Sequence, residues 1–270
     1  MGRHKHWLFI YRQRTLKTKT LTLFLGALIF TACKKEKFFD GPDFFQDDFE
    51  SYSTFSELLL PNDQLWSFTQ LTRGENNITV DTSKVHSGNK SLKFVAQKSD
   101  KDGASKASIV KQNMAFWEGE TVKMSAWYFI EGTNSLEWLF LMDLEEQTAI
   151  GAGPGMRLAL VDNKLSVEYK FNEKDITQKT GQEINFPRNQ WVQVVWEVKL
   201  SQKNQGSVRL WQNGQLIIDS KNNRTLPKDF LYFQQGTKGM YSSCEIGITA
   251  NSKDNDLTIW ADDIKFEKIN

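Results

Sequence analysis

One ten-residue segment restricts the folds open to this chain more than any other. From Trp191 to Leu200, the side chains of Val192, Val194, Trp196, Val198 and Leu200 share one face. Gln193, Glu197 and Lys199 share the other with Trp191 and Val195. A period of two describes a strand buried on one side and does not fit a helix, whose period is about 3.6. Val122, Met124, Ala126, Tyr128 and Ile130 repeat the pattern, as do Met156–Leu160 and Leu165–Phe171.

Turn chemistry joins these runs. Asp162-Asn163 and Asn213-Gly214 each separate two alternating segments, the signature of a tight hairpin. Further strands are expected at Asn77–Asp81, Ser91–Gln97, Ser108–Gln112, Leu136–Glu145, Cys244–Ala250 and Leu257–Glu267. Helical signals are confined to Ser53–Leu60 and Lys228–Phe233. Gly151–Gly155 lacks the helix and the Lys-Ser/Thr pair of a phosphate loop and is expected to be a flexible connection. This many strands in one domain predict an all-β fold, a two-sheet antiparallel β-sandwich of jelly-roll type.

The N-terminus has a different character. Six Lys and Arg and no acid precede residue 33, and a 12-residue apolar run, Leu21–Ala32, is too short for the ~20 residues of a membrane span. Phe30-Thr31-Ala32-Cys33 resembles a bacterial lipoprotein signal. That resemblance implies cleavage after residue 32, lipid on Cys33, a tether over 33–43 and a folded domain over 44–270. The protein is then exported and anchored to the cell envelope, with the outer membrane as the expected site and its face left open. Without residues 1–32 the chain carries a formal charge of −5, which argues against a nucleic-acid partner. It keeps one histidine, His86, which excludes metal sites that need two. His86 is expected to be a turn residue without a partner, and Cys244 a small buried hydrophobe.

Three segments carry a resemblance to a known fold family. They are Asp47-Asp48-Phe49-Glu50 with His86–Phe94, the stretch Trp191–Trp196 with Gly206–Gly214, and Glu245–Ile248 with Trp260-Ala261-Asp262-Asp263-Ile264. Together they resemble the concanavalin A-like lectin/glucanase superfamily, in particular its polysaccharide-lyase-like and laminin-G-like members. Lyases of that group carry a Lys-x-Gly-x-Tyr pattern on a late strand, where Glu245 and Thr249 stand here. Lys238-Gly239-Met240-Tyr241 is a displaced alternative. The Glu-x-Asp-x-x-Glu run of related glucanases has Leu141 at its first position, although Glu137, Asp143 and Glu145 share strand parity.

The resemblance also implies calcium held by Glu50 and Asp262 with carbonyls near Gly88–Lys90, since Ca²⁺ takes carboxylate and backbone oxygens. The strand faces opposite the apolar rows carry Trp127, Glu137, Asp143, Arg157, Gln193, Arg209 and Trp211. Trp127 and Trp211 suit sugar-ring stacking, and Glu137, Asp143, Arg157 and Gln193 suit hydroxyl recognition. The expectation is an envelope-anchored polysaccharide-binding protein without catalysis. A lyase or glycoside hydrolase with an altered site, or a structural or protein-interaction sandwich, stays open.

Overall fold

Alternation places one apolar row per strand, and two sheets bury those rows against each other. The computed structural model describes residues 37, 40–59, 65–134, 136–148, 151–227 and 238–269. Cys33 and the expected helix at 228–233 lie outside them. The strands run β1 (Phe44–Asp47), β2 (Phe68–Leu71), β3 (Asn77–Asp81), β4 (Ser91–Ala96), β5 (Ser105–Lys111), β6 (Phe116–Trp117), β7 (Thr121–Ile130) and β8 (Trp138–Thr148). They continue as β9 (Gly151–Val161), β10 (Lys164–Tyr169), β11 (Trp191–Lys199), β12 (Gly206–Gln212), β13 (Gln215–Asn223), β14 (Met240–Tyr241), β15 (Ser243–Asn251) and β16 (Leu257–Ile269). The expected turns at Ser53–Leu60 form a short 3-10 helix, Phe55–Leu59.

An eight-stranded sheet has the order β13-β12-β11-β7-β16-β4-β3, with β1 beside β16. A six-stranded sheet has the order β10-β9-β8-β15-β5-β2. All the pairings are antiparallel, and the chain crosses between sheets from β7 to β8 and from β15 to β16, giving the expected sandwich. Tyr128, Trp196, Phe94 and Phe266 enter the core from one side, and Leu141, Leu144, Met156 and Ile246 from the other. Fully burying one such aliphatic or phenyl side chain stabilises the fold by about 1.5–3 kcal/mol. The Tyr128 hydroxyl crosses the core and donates to the Leu141 carbonyl at 3.0 Å. Cys244 is buried on β15 as a core residue, as expected.

Both expected hairpin turns have positive φ at their central residues, 47° and 59° at Asp162-Asn163, and 49° and 77° at Asn213-Gly214. This is the type I′ signature, whose twist matches that of the flanking strands.

Gly151–Gly155 departs from expectation by opening β9 instead of forming a loop. The physical reason is close backbone approach. A Cβ on Gly155 would lie 2.4 Å from the Leu144 carbonyl oxygen, so only glycine lets β9 pair with β8 there.

A second irregularity matters more for function. The β8–β9 register shifts between Phe140 and Met142, leaving Leu141 as an extra residue. A bulge of this kind reverses side-chain parity along the strand. Trp138 and Phe140 therefore share the outer face with Asp143 and Glu145, while Glu137 precedes the strand and stands exposed. The shared parity of Glu137, Asp143 and Glu145 expected from the sequence does not hold.

Candidate functional site

The outer face of the six-stranded sheet carries a buried polar network. Cross-strand pairing sets Glu168, Arg157, Asp143, Glu245, Val110 and Phe68 side by side, one from each of β10, β9, β8, β15, β5 and β2. Asp143 is 1% exposed and Glu245 2%, although both point away from the core. Lys170, just beyond β10, places its ammonium 3.0 Å from Asp143 Oδ2 and also against Glu145 Oε1. The Thr249 hydroxyl donates to Asp143 Oδ1 at 2.8 Å, and the Arg157 guanidinium lies 3.8 Å from Oδ2.

Glu245 accepts from Gln70 Nε2 at 2.9 Å and from the Ser108 hydroxyl. Lys106 donates to Gln70 Oε1 at 3.0 Å, extending the network to the β2 edge.

Electrostatics differ across this row. Burial by itself would raise the Asp143 carboxyl, but Lys170 and Arg157, with the hydrogen bonds from Lys170 and Thr249, hold it below the ordinary aspartate value. Glu245 goes the other way. Burial, then the neighbouring Asp143 charge, push it up to about 7, against the opposing pull of Lys106, Ser108 and Lys170.

One end of the face is aromatic. The Trp138 and Phe140 rings stack with centroids 4.8 Å apart, and the Arg157 guanidinium lies 4.3 Å over Phe140. Planar apolar groups beside fixed hydrogen-bonding side chains are the composition that recognises a sugar chain.

Elimination chemistry needs a base, an acid and neutralisation of the uronate charge. The described tyrosines do not supply the acid at this face. Tyr241 is wholly buried and donates to the Thr225 carbonyl at 2.7 Å, so the displaced motif at Lys238–Tyr241 does not deliver a surface phenol. Tyr52 and Tyr128 are engaged with Asp47 and Leu141, and Tyr169 packs with Phe171 against the core. His86 stands on the other sheet.

The six residues expected to form one sugar-binding groove do not come together. Asp143 and Arg157 belong to the face just described, and Glu137 lies at its border with its backbone N–H donating to Asp254. Trp127, Gln193 and Trp211, with Arg209, lie on β7, β11 and β12, on the outer face of the eight-stranded sheet. The reason is topological. The alternation rule separates inside from outside but does not say which sheet a strand joins.

Trp127 and Gln193 are register partners and line a cleft of about 600 Å³ with Asp48, Tyr52, Asp263 and Lys265. Arg209 pairs with Glu197 at 2.6 Å and lies over the Trp211 ring at 5.4 Å.

His86 does have partners, contrary to expectation. Its Nδ1 lies 2.6 Å from Asp263 Oδ2, and its ring stacks on Trp127 at 3.7 Å.

The calcium expectation meets a donor set of the wrong kind. Glu50 Oε1 accepts the backbone N–H groups of Asn89 and Lys90 at 2.7 and 2.8 Å. Asp262 accepts those of His86, Ser87 and Asp263. Backbone amide donors therefore take up oxygens of both carboxylates, an arrangement that does not fit a cation held by those same oxygens. Among the described residues, Glu50 belongs to neither group of close potential metal ligands, which are His86/Asp262/Asp263 and Asp143/Glu145/Glu245.

Reading the sequence missed Trp138, Phe140, Lys170, Gln70 and Lys106. The first two were hidden by the bulge. The other three reach the network from separate strands and loops and carry no local signal.

No curated protein matches the chain by sequence. Solved structures do match its fold. An endo-β-1,4-glucuronan lyase from the fungus Trichoderma reesei superimposes with a TM-score of 0.62 at 12% identity, over 85% of this chain and 96% of that one. The cellulose-induced protein Cip1 gives 0.58 at 19% identity, over 82% and 96%. A variant of the alginate lyase Aly36B in complex with an alginate trisaccharide gives 0.56 at 12% identity, over 86% and 100%. At these identities the likeness is one of fold. The sequence itself goes further, because residues 62–265, from before β2 into β16, match the family profile described as Polysaccharide lyase, and the chain therefore belongs to the polysaccharide lyase family.

Proposed function

We propose that the protein binds a polysaccharide along the outer face of the six-stranded sheet without cleaving it, and that lipid on Cys33 anchors it at the cell envelope. Membership of a polysaccharide lyase family supports a polysaccharide ligand. One observation carries the non-catalytic part, the placement of the Lys170 ammonium against both Asp143 and Glu145. The cation nearest the centre of the face is committed to the protein's own carboxylates. Trp138 and Phe140 supply the ring platform, and Arg157 and Glu168 border the chain's path.

The anchor rests on the basic start, the short apolar run and Phe30-Thr31-Ala32-Cys33. Labelled palmitate should enter the wild-type protein and not Cys33→Ser.

The test of function is electrophoresis through gels containing dissolved polysaccharides, followed by incubation with each retarding polymer. Retardation without new absorbance from an unsaturated uronate, and without new reducing ends, is the expected result. Family membership favours β-elimination as the second reading, and appearance of the unsaturated product would establish it over ours.

A further inference from the structure

We infer that Phe68, on the last strand of the six-stranded sheet, is a second sugar platform, and that the face therefore selects long polysaccharide chains over short ones. The inference rests on the reading above and adds the length of chain the site takes.

Strand pairing puts Phe68 on this face. It is the register partner of Val110, whose other partner is Glu245. Gln70 has the same parity on β2 and donates to Glu245 Oε2 at 2.9 Å, so this side of the strand looks onto the polar network. Phe68 is 38% exposed. A scattered exposed apolar side chain needs no explanation. This one shares its face with the stacked rings of Trp138 and Phe140, and a sugar ring laid on it would take its apolar surface out of water.

The two platforms stand apart. β15 and β5 separate β8 from β2, and three interstrand spacings amount to roughly 14 Å. The floor between them is polar and fixed. Ser108 and Gln70 both donate to Glu245, and Lys106 donates to Gln70. Val161, 37% exposed, pairs with Trp138 and widens the first platform only. A disaccharide covers one platform. A hexasaccharide laid across the strands reaches both, with its hydroxyls over Glu245, Ser108 and Gln70. The second ring contact then forms within one complex, at high effective concentration, and adds affinity without a second loss of translational freedom.

The experiment uses the full-length protein in detergent, run through gels containing alginate, polygalacturonate or a mixed-linkage β-glucan. The disaccharide and the hexasaccharide of each retarding polymer are then added as competitors. The hexasaccharide should release the wild-type protein at a concentration at least about tenfold lower than the disaccharide. Phe68→Ala should leave release by the disaccharide unchanged and weaken release by the hexasaccharide about tenfold. Trp138→Ala should weaken both. Phe68→Tyr keeps the ring and should behave as wild type. The urea midpoint of Phe68→Ala should match wild type, because the side chain lies outside the core, and this separates a lost contact from a lost fold.

If Phe68→Ala keeps the wild-type advantage of the hexasaccharide, or loses affinity for the disaccharide to the same degree, the inference is overturned and the polysaccharide reading stands. Retardation by none of the three polymers would overturn that reading, and the inference with it.

Discussion

Lys170 and Asp143 meet at 3.0 Å, although Lys170 lies beyond β10 and Asp143 in the middle of β8. The contact ties a peripheral segment to the sheet centre and neutralises a carboxylate that is 1% exposed. Removing one partner of a buried pair leaves the other as an uncompensated charge.

Lys170→Met should therefore destabilise the fold by about 3–5 kcal/mol, read as a lowered midpoint in urea unfolding. Adding Asp143→Asn and Glu145→Gln to it should restore much of the loss. A single variant as stable as wild type would show that the network is solvated and contributes little.

Trp138→Ala should weaken polysaccharide retention about tenfold, equivalent to ~1.4 kcal/mol, with the fold kept. Trp127→Ala and Trp211→Ala should leave retention unchanged, because those side chains lie on the opposite sheet. Gel retardation of the three variants in one series decides between the two faces.

Glu146 sets a pH dependence. Both its carboxyl oxygens are buried without a hydrogen-bond partner, and burial raises its pKa from 4.5 to about 8. The folded state then holds a proton that the unfolded state has released. Stability from the neutral form is complete below about pH 4.5 and is lost as pH rises toward about 8. Glu245, raised to about 7, acts in the same direction. Urea midpoints for wild type should fall across this window, and Glu146→Gln should flatten the fall and exceed wild type at its upper end.

Tyr241→Phe removes the donor to the buried Thr225 carbonyl and should cost about 1–3 kcal/mol of stability. Polysaccharide retention, corrected for folded fraction, should not change. A selective loss of any sugar-directed activity would mark Tyr241 as part of the site.

A chelator should leave the melting temperature unchanged, because amide donors occupy the Glu50 and Asp262 carboxylates. A clear drop, restored by added calcium, would show that the loop at 86–90 rearranges around an ion.

The alternation in β7 and β11 made the inward rows legible residue by residue, and Asp162-Asn163 and Asn213-Gly214 announced their hairpins. These features are local, since strand parity and positive φ depend on neighbours a few positions away. The site was legible only in fragments. Asp143 and Arg157 were recognised as outward polar residues, and Glu245 and Thr249 as departures from a lyase pattern, but nothing local joined them. Their meeting depends on β15 lying between β8 and β5, where Glu245 pairs with Asp143 on one side and with the still more distant Val110 on the other. The bulge at Leu141 likewise exists only against a partner strand, and it turned Trp138 and Phe140 outward while excluding Glu137.

The sequence by itself determined an all-β chain with defined inner rows and defined turns, because those follow from short-range sterics and hydrophobic periodicity. Only the tertiary structure decided which sheet each outward residue joins, and hence that Asp143 faces Lys170 and Glu245 while Trp127 faces Gln193 and His86. That choice is made by long-range strand pairing, whose free energy belongs to the packed core and not to any one segment.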